Sequence, residues 1–331
     1  MKEKQTIQNL LTKIKAYDPS ADAELIQLVY NFADDAHRGQ FRKSKEPYIT
    51  HPLAAAHILA DMRIDPIIIM ATLLHDVPED THVTLKEIGD NFGSEIKNMV
   101  EGITKLGKLK YRGIERYIEN LRKMFVAMAE DIRVMIIKFA DRIHNLQTLD
   151  SLPPQKRYRI ALESLEIYAP IANRLGMAEM KGQLEDLAFR YVYPKEFQRV
   201  KKMVSDKLKG KEKSLDEIQS RSTAELKNAG IDIIQLKGRN KRLYSFYQKL
   251  LRKQNDITKI YDVIAIRVIV PTIADCYAAL GILHKIWRPA KGRIKDYISQ
   301  PKPNGYQSLH TTIFDDQGDL IEFQIRTMEM H

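Results

Sequence analysis

The chain holds 331 residues, 44% of them hydrophobic, with 53 lysines and arginines against 43 aspartates and glutamates and a single cysteine. That length and apolar content support two or three globular domains with sizeable cores, and no run reaches the ~20 apolar residues of a membrane span. A formal net charge of +10 points towards anionic partners, which could be nucleic acid, nucleotides or an acidic surface.

The polar start MKEKQTIQNLLTKIK lacks the apolar core of a signal peptide, so a cytoplasmic location is expected. Helical patterns then run almost unbroken to residue 230. DPIIIMATLLH opens with Asp65 as N-cap and Pro66 in the first helical position. TLKE, residues 84–87, has capping-box spacing, and Phe92-Gly93 stops that helix before another begins near Ser94. DIRVMIIKFADRIHNLQTL carries apolar residues at helical spacing until Pro153-Pro154 ends it. Further helices are expected over 155–168, 177–192 and 194–228, the last a long solvated lysine-rich helix closed by Gly230.

After Gly230 the period changes. IDIIQLKG, DVIAIRVIVP, YQSLHTTIF and LIEFQIR are β-branched and alternating, with DDQGD as a hairpin turn between the last two. YSFYQKLLRK and ADCYAALGILHKIW read as helices among the first three strands, and Cys276 in the second reads as core packing. The fold class expected is multidomain: an all-helical region followed by a smaller α/β domain with a mixed sheet.

Two constellations carry chemistry. LLHDVPED crowds His75, Asp76, Glu79 and Asp80 behind an apolar run, and a metal site built on His75 and Asp76 needs further ligands. His51 before Pro52 at a helix start, and Asp141 deep in an apolar helix, could provide them, since an aspartate there is expensive to bury unpaired. Singly, each of these histidines is more often structural.

In the second domain Arg239, Lys241, Arg242 and Lys249 surround a helix start and suit a polyphosphate. Asp262 heads one strand and Glu322 sits on another, the usual way to hold magnesium against phosphate oxygens. The segment GRIKDYISQPKPNGYQSLHT, residues 292–311, interleaves Arg293, Lys295, Lys302 and His310 with Tyr297 and Tyr306. It could hold phosphates by charge and a base by stacking, or be a basic loop for nonspecific RNA binding.

The set AHRGQFRKSKEPYITHPL, ATLLHDVPEDT, MVEGITKL and DIRVMIIKFADRIHNLQTL closely resembles the hydrolase domain of the long RelA/SpoT homologues, within the HD phosphohydrolase superfamily. The resemblance implies that His51, His75, Asp76 and Asp141 bind one manganese ion and that Glu79 and Asp80 activate the attacking water. It places Arg42, Lys43 and Ser44 beside the base and phosphates of the substrate, and Asn145 in the nucleotide pocket.

The 292–311 segment resembles the signature loop of the RelA/SpoT synthetase domain, with a nucleotidyltransferase-like fold that moves pyrophosphate from ATP to the 3′-hydroxyl of GDP or GTP. On that resemblance Tyr306 stacks on guanine, and Arg239, Lys241 and Lys249 belong to the ATP side. Arg293 opens the Arg-Ile-Lys-Asp form associated with bifunctional members, and Lys295, Lys302, Asn304 and His310 surround the reacting groups. Asp262 carries magnesium, and Glu322 holds metal or helps to deprotonate the 3′-hydroxyl.

The implied organisation is a hydrolase domain over 1–155, connecting helices over 156–200 and a synthetase domain over 201–331 that continues beyond His331. The implied partners are ppGpp, pppGpp, GDP, GTP and ATP, in the stringent response, with ribosome or tRNA contacts only through regulatory regions outside this chain. Alternatives are an HD phosphohydrolase of another nucleotide with a degenerate second domain, and a basic RNA-binding module.

Overall fold

The computed structural model describes residues 5–107, 114–209, 212–239, 242–256 and 265–331. The chain divides into two compact units, Met1–Ala169 and Pro170–His331. Among the described residues no helix is long and apolar enough to cross a membrane.

The first unit is all helical, and its central elements are those with the least polar sequence. In the helix Thr50–Asp61 every residue from His51 to Ala60 is buried. The helix Pro66–Leu74 follows, with Asp65 Oδ1 accepting from Ile67 N at 2.9 Å and everything from Ile68 to Leu74 buried. Thr84 and Glu87 form both bonds of a capping box, and Gly93, at φ 90°, makes the left-handed stop that a side chain would oppose.

Behind these lies the helix Arg133–Gln147, whose Val134 packs so near Gly102 of the helix Ser94–Gly107 that no Cβ fits there. The helix expected to stop at Tyr168 does not stop. Pro154–Glu163 passes through a π-turn, Ser164–Tyr168, and continues as Ala169–Arg174. There the Ser164 hydroxyl donates to the Ile160 carbonyl at 2.7 Å, competing with the regular helical ladder.

The second unit carries one mixed sheet in the order β1-β2-β5-β4-β3: β1 (Gln235–Arg239), β2 (Ala265–Val270), β3 (Lys295–Asp296), β4 (Leu309–Phe314) and β5 (Leu320–Thr327). The β2–β5 pair is parallel and the others are antiparallel. Cys276, Ala279 and Leu283 of the helix Ile273–Ile286 pack on Val268, Leu309, Phe323 and Ile325 of the sheet. Burial pushes the Cys276 thiol up to about 11, which suits core packing and not nucleophilic chemistry.

Three expectations need correction here. The single solvated helix over 194–228 is two helices, Pro194–Leu208 and Glu212–Asn228, because Lys209 leaves helical geometry at ψ 124° amid closely spaced lysines next to Gly210. Both helices also bury an apolar stripe: Val200 and Val204 pack with Phe189 and Phe246, and Ile218 and Leu226 pack beneath the sheet. The first strand begins at Gln235, not Ile231, because Ile231 turns into the core instead. The two-residue β3 has no periodicity from which it could have been foreseen. The DDQGD turn is present, with Asp315 Oδ1 accepting from Gln317 N at 3.0 Å and Asp319 N at 2.7 Å.

Candidate active sites

In the first unit three separate helical elements deliver ligands to one point. His51 stands in the first turn of Thr50–Asp61, His75 closes Pro66–Leu74, and Asp141 lies mid-helix in Arg133–Gln147. One ligand atom from each lies within 4.8 Å of the others, and all three residues are buried. Asp76 completes the group, its Oδ1 3.2 Å from His75 Nε2 and its Oδ2 3.5 Å from His51 Nε2. His51 Nε2 also lies 3.2 Å from Asp141 Oδ1.

The hydrogen bonds behind these atoms decide what they can hold. His75 Nδ1 donates to the Thr72 carbonyl at 2.7 Å, which leaves Nε2 as a buried lone pair without a hydrogen-bond partner among the described residues. Arg42 Nη1, which can only donate, lies 3.1 Å from His144 Nδ1, so that nitrogen is an acceptor. It must then also accept from His51 Nδ1 at 2.7 Å, and His51 Nε2 becomes a second lone pair facing carboxylate oxygens. Burial, with His51 and Arg42 adding to it, pushes His144 down to about 3, so it is neutral and able to accept. Lone pairs and carboxylates facing one another repel unless a cation stands between them. The donor set fits a divalent cation.

Lys138 and Asn145 brace Asp141 from behind. Lys138 Nζ lies 2.7 Å from Oδ2, and Asn145 Nδ2 donates to Oδ1. Burial alone would raise the Asp141 carboxyl, but the neighbouring groups, Lys138 first among them, together hold it well below the usual carboxylate range. Tyr48 reaches Asp80 Oδ2 at 2.6 Å and Asp76 Oδ2 at 3.1 Å, and it stacks on His37 at 4.5 Å. Burial and those two carboxylates push its phenol far up, so it remains a proton donor. Glu79 lies beside them, raised by desolvation, with Lys138 opposing and Asp76 and Asp80 assisting.

A cavity of about 430 Å³ adjoins the cluster, lined among others by Arg42, Lys43, Ser44, Asn145 and Lys156. Arg42 is steered into it by Asn145 Oδ1 at 3.3 Å and Thr148 Oγ1 at 3.4 Å, whereas the Ser44 hydroxyl is spent on Glu46 at 2.9 Å.

In the second unit the structure gathers Glu322, His310, Tyr306 and Lys302. His310 Nδ1 lies 2.8 Å from Glu322 Oε1, and its Nε2 lies 2.7 Å from the Tyr306 hydroxyl. Burial lowers the His310 imidazole, with Glu322 opposing. Lys302 Nζ stands 4.6 Å from the Tyr297 ring centre and 4.9 Å from that of Tyr306. Desolvation pushes the Lys302 ammonium down, then Lys295 and Lys249 push it further, so these three amines share one field.

Asn304 is drawn elsewhere: its side chain donates to the Asn173 carbonyl at 3.1 Å. Arg293 is exposed, and its backbone N–H donates to Ala290. Asp296 of the same motif is structural, accepting from Ile298 N and Ser299 N at 2.9 Å and from the Tyr277 hydroxyl at 2.8 Å. Arg242 pairs with Glu179. Asp262 and Lys241 lie outside the described residues, and of Arg239 only the backbone at the end of β1 is described.

Two family models match this chain in order: one described as "HD domain" over residues 30–178, and one described as "Region found in RelA / SpoT proteins" over residues 238–331. The bifunctional (p)ppGpp synthase/hydrolase SpoT of Escherichia coli K12 is 46% identical over 318 residues, covering 96% of this chain and 45% of SpoT. The chain belongs to the RelA/SpoT family. A GTP pyrophosphokinase of Myxococcus xanthus is 45% identical over 96% of this chain and 42% of its own length. The guanosine-3′,5′-bis(diphosphate) 3′-pyrophosphohydrolase of Aquifex aeolicus is 46% identical, over 97% and 46% respectively. The chain thus spans less than half the length of these RelA/SpoT relatives.

Sequence reasoning missed Tyr48, Lys138 and His144 in the first site and Gln324 and Arg326 in the second. Lys138 and His144 stand three residues either side of Asp141 and so share its helix face, a signal that was available. Tyr48 gave none beyond its nearness to His51.

Proposed function

We propose that the chain both destroys and makes (p)ppGpp. The first unit hydrolyses the 3′-pyrophosphate of ppGpp or pppGpp to GDP or GTP and pyrophosphate, and the second moves pyrophosphate from ATP to the 3′-hydroxyl of GDP or GTP. The observation that carries the hydrolytic half is the pair of buried imidazole lone pairs, on His51 and His75, facing the carboxylates of Asp76 and Asp141.

Manganese held by those four residues would supply Lewis acidity and make coordinated water more acidic. The chain's own groups supply the rest. Glu79, with its raised carboxyl, and Asp80, oriented by Tyr48, take and return the proton of the attacking water. Arg42, Lys43 and Asn145 hold the nucleotide in the adjoining cavity.

In the second unit Lys249, Lys295 and Lys302 neutralise the triphosphate, with Arg239, Lys241 and Arg293 beside it. Tyr306 carries the guanine, His310 orients the ribose, and Asp262 and Glu322 would hold magnesium. Catalysis there is chiefly positioning and charge neutralisation. The relatives in hand support both halves, since their names specify a pyrophosphokinase, a pyrophosphohydrolase and a bifunctional enzyme over the same span.

Incubating the chain with magnesium, GDP and ATP labelled in the β-phosphate tests the synthetic half. Label should appear in a guanosine product together with AMP, and Glu322→Gln should abolish it. Failure of the unsubstituted chain to form that product would refute this half.

A further inference from the structure

The last strand of the second unit buries groups that such a strand should avoid. Gln324 is 4% and Arg326 5% exposed. With Glu322 they occupy alternate positions of β5 and so share one face of the sheet. A buried guanidinium is costly unless its donors are used. His310 stands directly across from Gln324 on β4.

These side chains close a ring with the loop tyrosine. Arg326 Nη2 donates to the Tyr306 hydroxyl at 2.7 Å and lies 3.3 Å from Gln324 Oε1. The Tyr306 hydroxyl is 2.7 Å from His310 Nε2, and His310 Nδ1 is 2.8 Å from Glu322 Oε1. Gln324 Nε2 completes the circuit by donating to the same Glu322 oxygen at 3.2 Å.

Arginine has no acceptor and an ionised carboxylate has no donor, and these two ends together orient the ring. Tyr306 accepts from Arg326, which leaves its one proton for His310 Nε2 when the other ring nitrogen donates to the Glu322 carboxylate. His310 must then carry its proton on Nδ1 and donate it to Glu322. Gln324 is fixed as well, its oxygen towards Arg326 and its amide nitrogen towards Glu322.

The geometry points to Arg326 as a positioning residue for pyrophosphate transfer: through Tyr306 and Gln324 it sets the tautomer of His310 and the orientation of Glu322. The ring joins the side chain that takes the guanine base to the carboxylate beside the acceptor hydroxyl, so seating the base and aligning the carboxylate are one event. This inference rests on the reading of the second unit as a pyrophosphate-transfer site. Removing a residue that acts through another in this way costs about 10–100-fold.

The test combines a spectrum and a rate. In the chain labelled with ¹⁵N-histidine, a long-range ¹H–¹⁵N correlation reads the tautomer of each of the nine histidines, His310 being assigned by its loss in His310→Gln. Unsubstituted His310 should be neutral and protonated on Nδ1. Arg326→Gln should mix the tautomers, lower kcat for transfer about 10–100-fold and raise the KM for GDP while leaving that for ATP unchanged. Arg326→Lys, still a pure donor, should recover much of both signals.

His310 protonated on Nε2 in the unsubstituted chain would overturn the inference, as would Arg326→Gln leaving the tautomer in place. Should Arg326→Gln not fold, the unsubstituted spectrum and Arg326→Lys still decide. If the unsubstituted chain forms no product, the transfer reading fails, and the spectrum judges the ring separately.

Discussion

Lys138→Met isolates the electrostatics of the first site. The Lys138 ammonium sits 2.7 Å from Asp141 Oδ2, with the two side chains 18% and 7% exposed. Removing one partner of such a buried pair costs about 3–5 kcal/mol. Asp141 keeps the Asn145 amide, so the lower end, about 3 kcal/mol, is expected for the metal-free chain. For a unit of this size that is a fall in Tm of roughly 6–12 °C.

A cation held, as proposed, by His51, His75, Asp76 and Asp141 would take over the neutralisation of that carboxylate. In saturating manganese the cost should therefore shrink to about 1 kcal/mol or less, and manganese should raise the Tm more in the variant than in the parent chain. Acid tests the same pair. Asp141 is held below its unfolded value, so the unfolded chain binds more protons and the stabilisation is present above about pH 4. It is lost as pH falls towards the folded value, and Lys138→Met should flatten that dependence. Differential scanning calorimetry in EDTA and in manganese reads all of this. An equal loss of Tm under both conditions would refute the electrostatic role and leave Lys138 a packing residue.

Three other substitutions bear on the same framework. Tyr48→Phe removes the donor shared by Asp80 and Asp76 and should lower kcat for ppGpp hydrolysis about 10–100-fold and weaken manganese binding; a raised KM at unchanged kcat would contradict it. Gly102→Ala drives a Cβ to 2.7 Å from Val134 Cγ2 and should cost about 1–3 kcal/mol despite better helix propensity. Adding Val134→Ala should return part of that loss in a thermal double-mutant cycle. Lys45 holds φ 68° in the turn closed by Arg42 N to Glu46 O, so Lys45→Gly should raise thermal stability by about 1 kcal/mol.

The candidate metal ligands stood out because each sits where the sequence breaks its own pattern. His51, the His75-Asp76 pair and Asp141 are polar groups at the ends or in the middle of strongly apolar helices, and the fold brings all four together. What the sequence hid was the polarity of the network behind them. Nothing in the string says that Arg42 fixes His144 as an acceptor, or that His51 donates to it, because those contacts span about a hundred residues. In the second unit, Gln324 and Arg326 were readable in principle as polar positions alternating on an otherwise buried strand. They passed as routine alternation because one strand alone does not show which face is covered. The helix break at Lys209 was missed because charge pattern gives helical spacing but no phase across a lysine-rich junction.

The most direct test of the account is pyrophosphate release from ppGpp by this chain in manganese, then in excess chelator, with Asp76→Ala alongside. The account predicts release that disappears on chelation, returns with manganese and is absent in Asp76→Ala. Release that persists in chelator or in that variant, or no release in manganese, would contradict it.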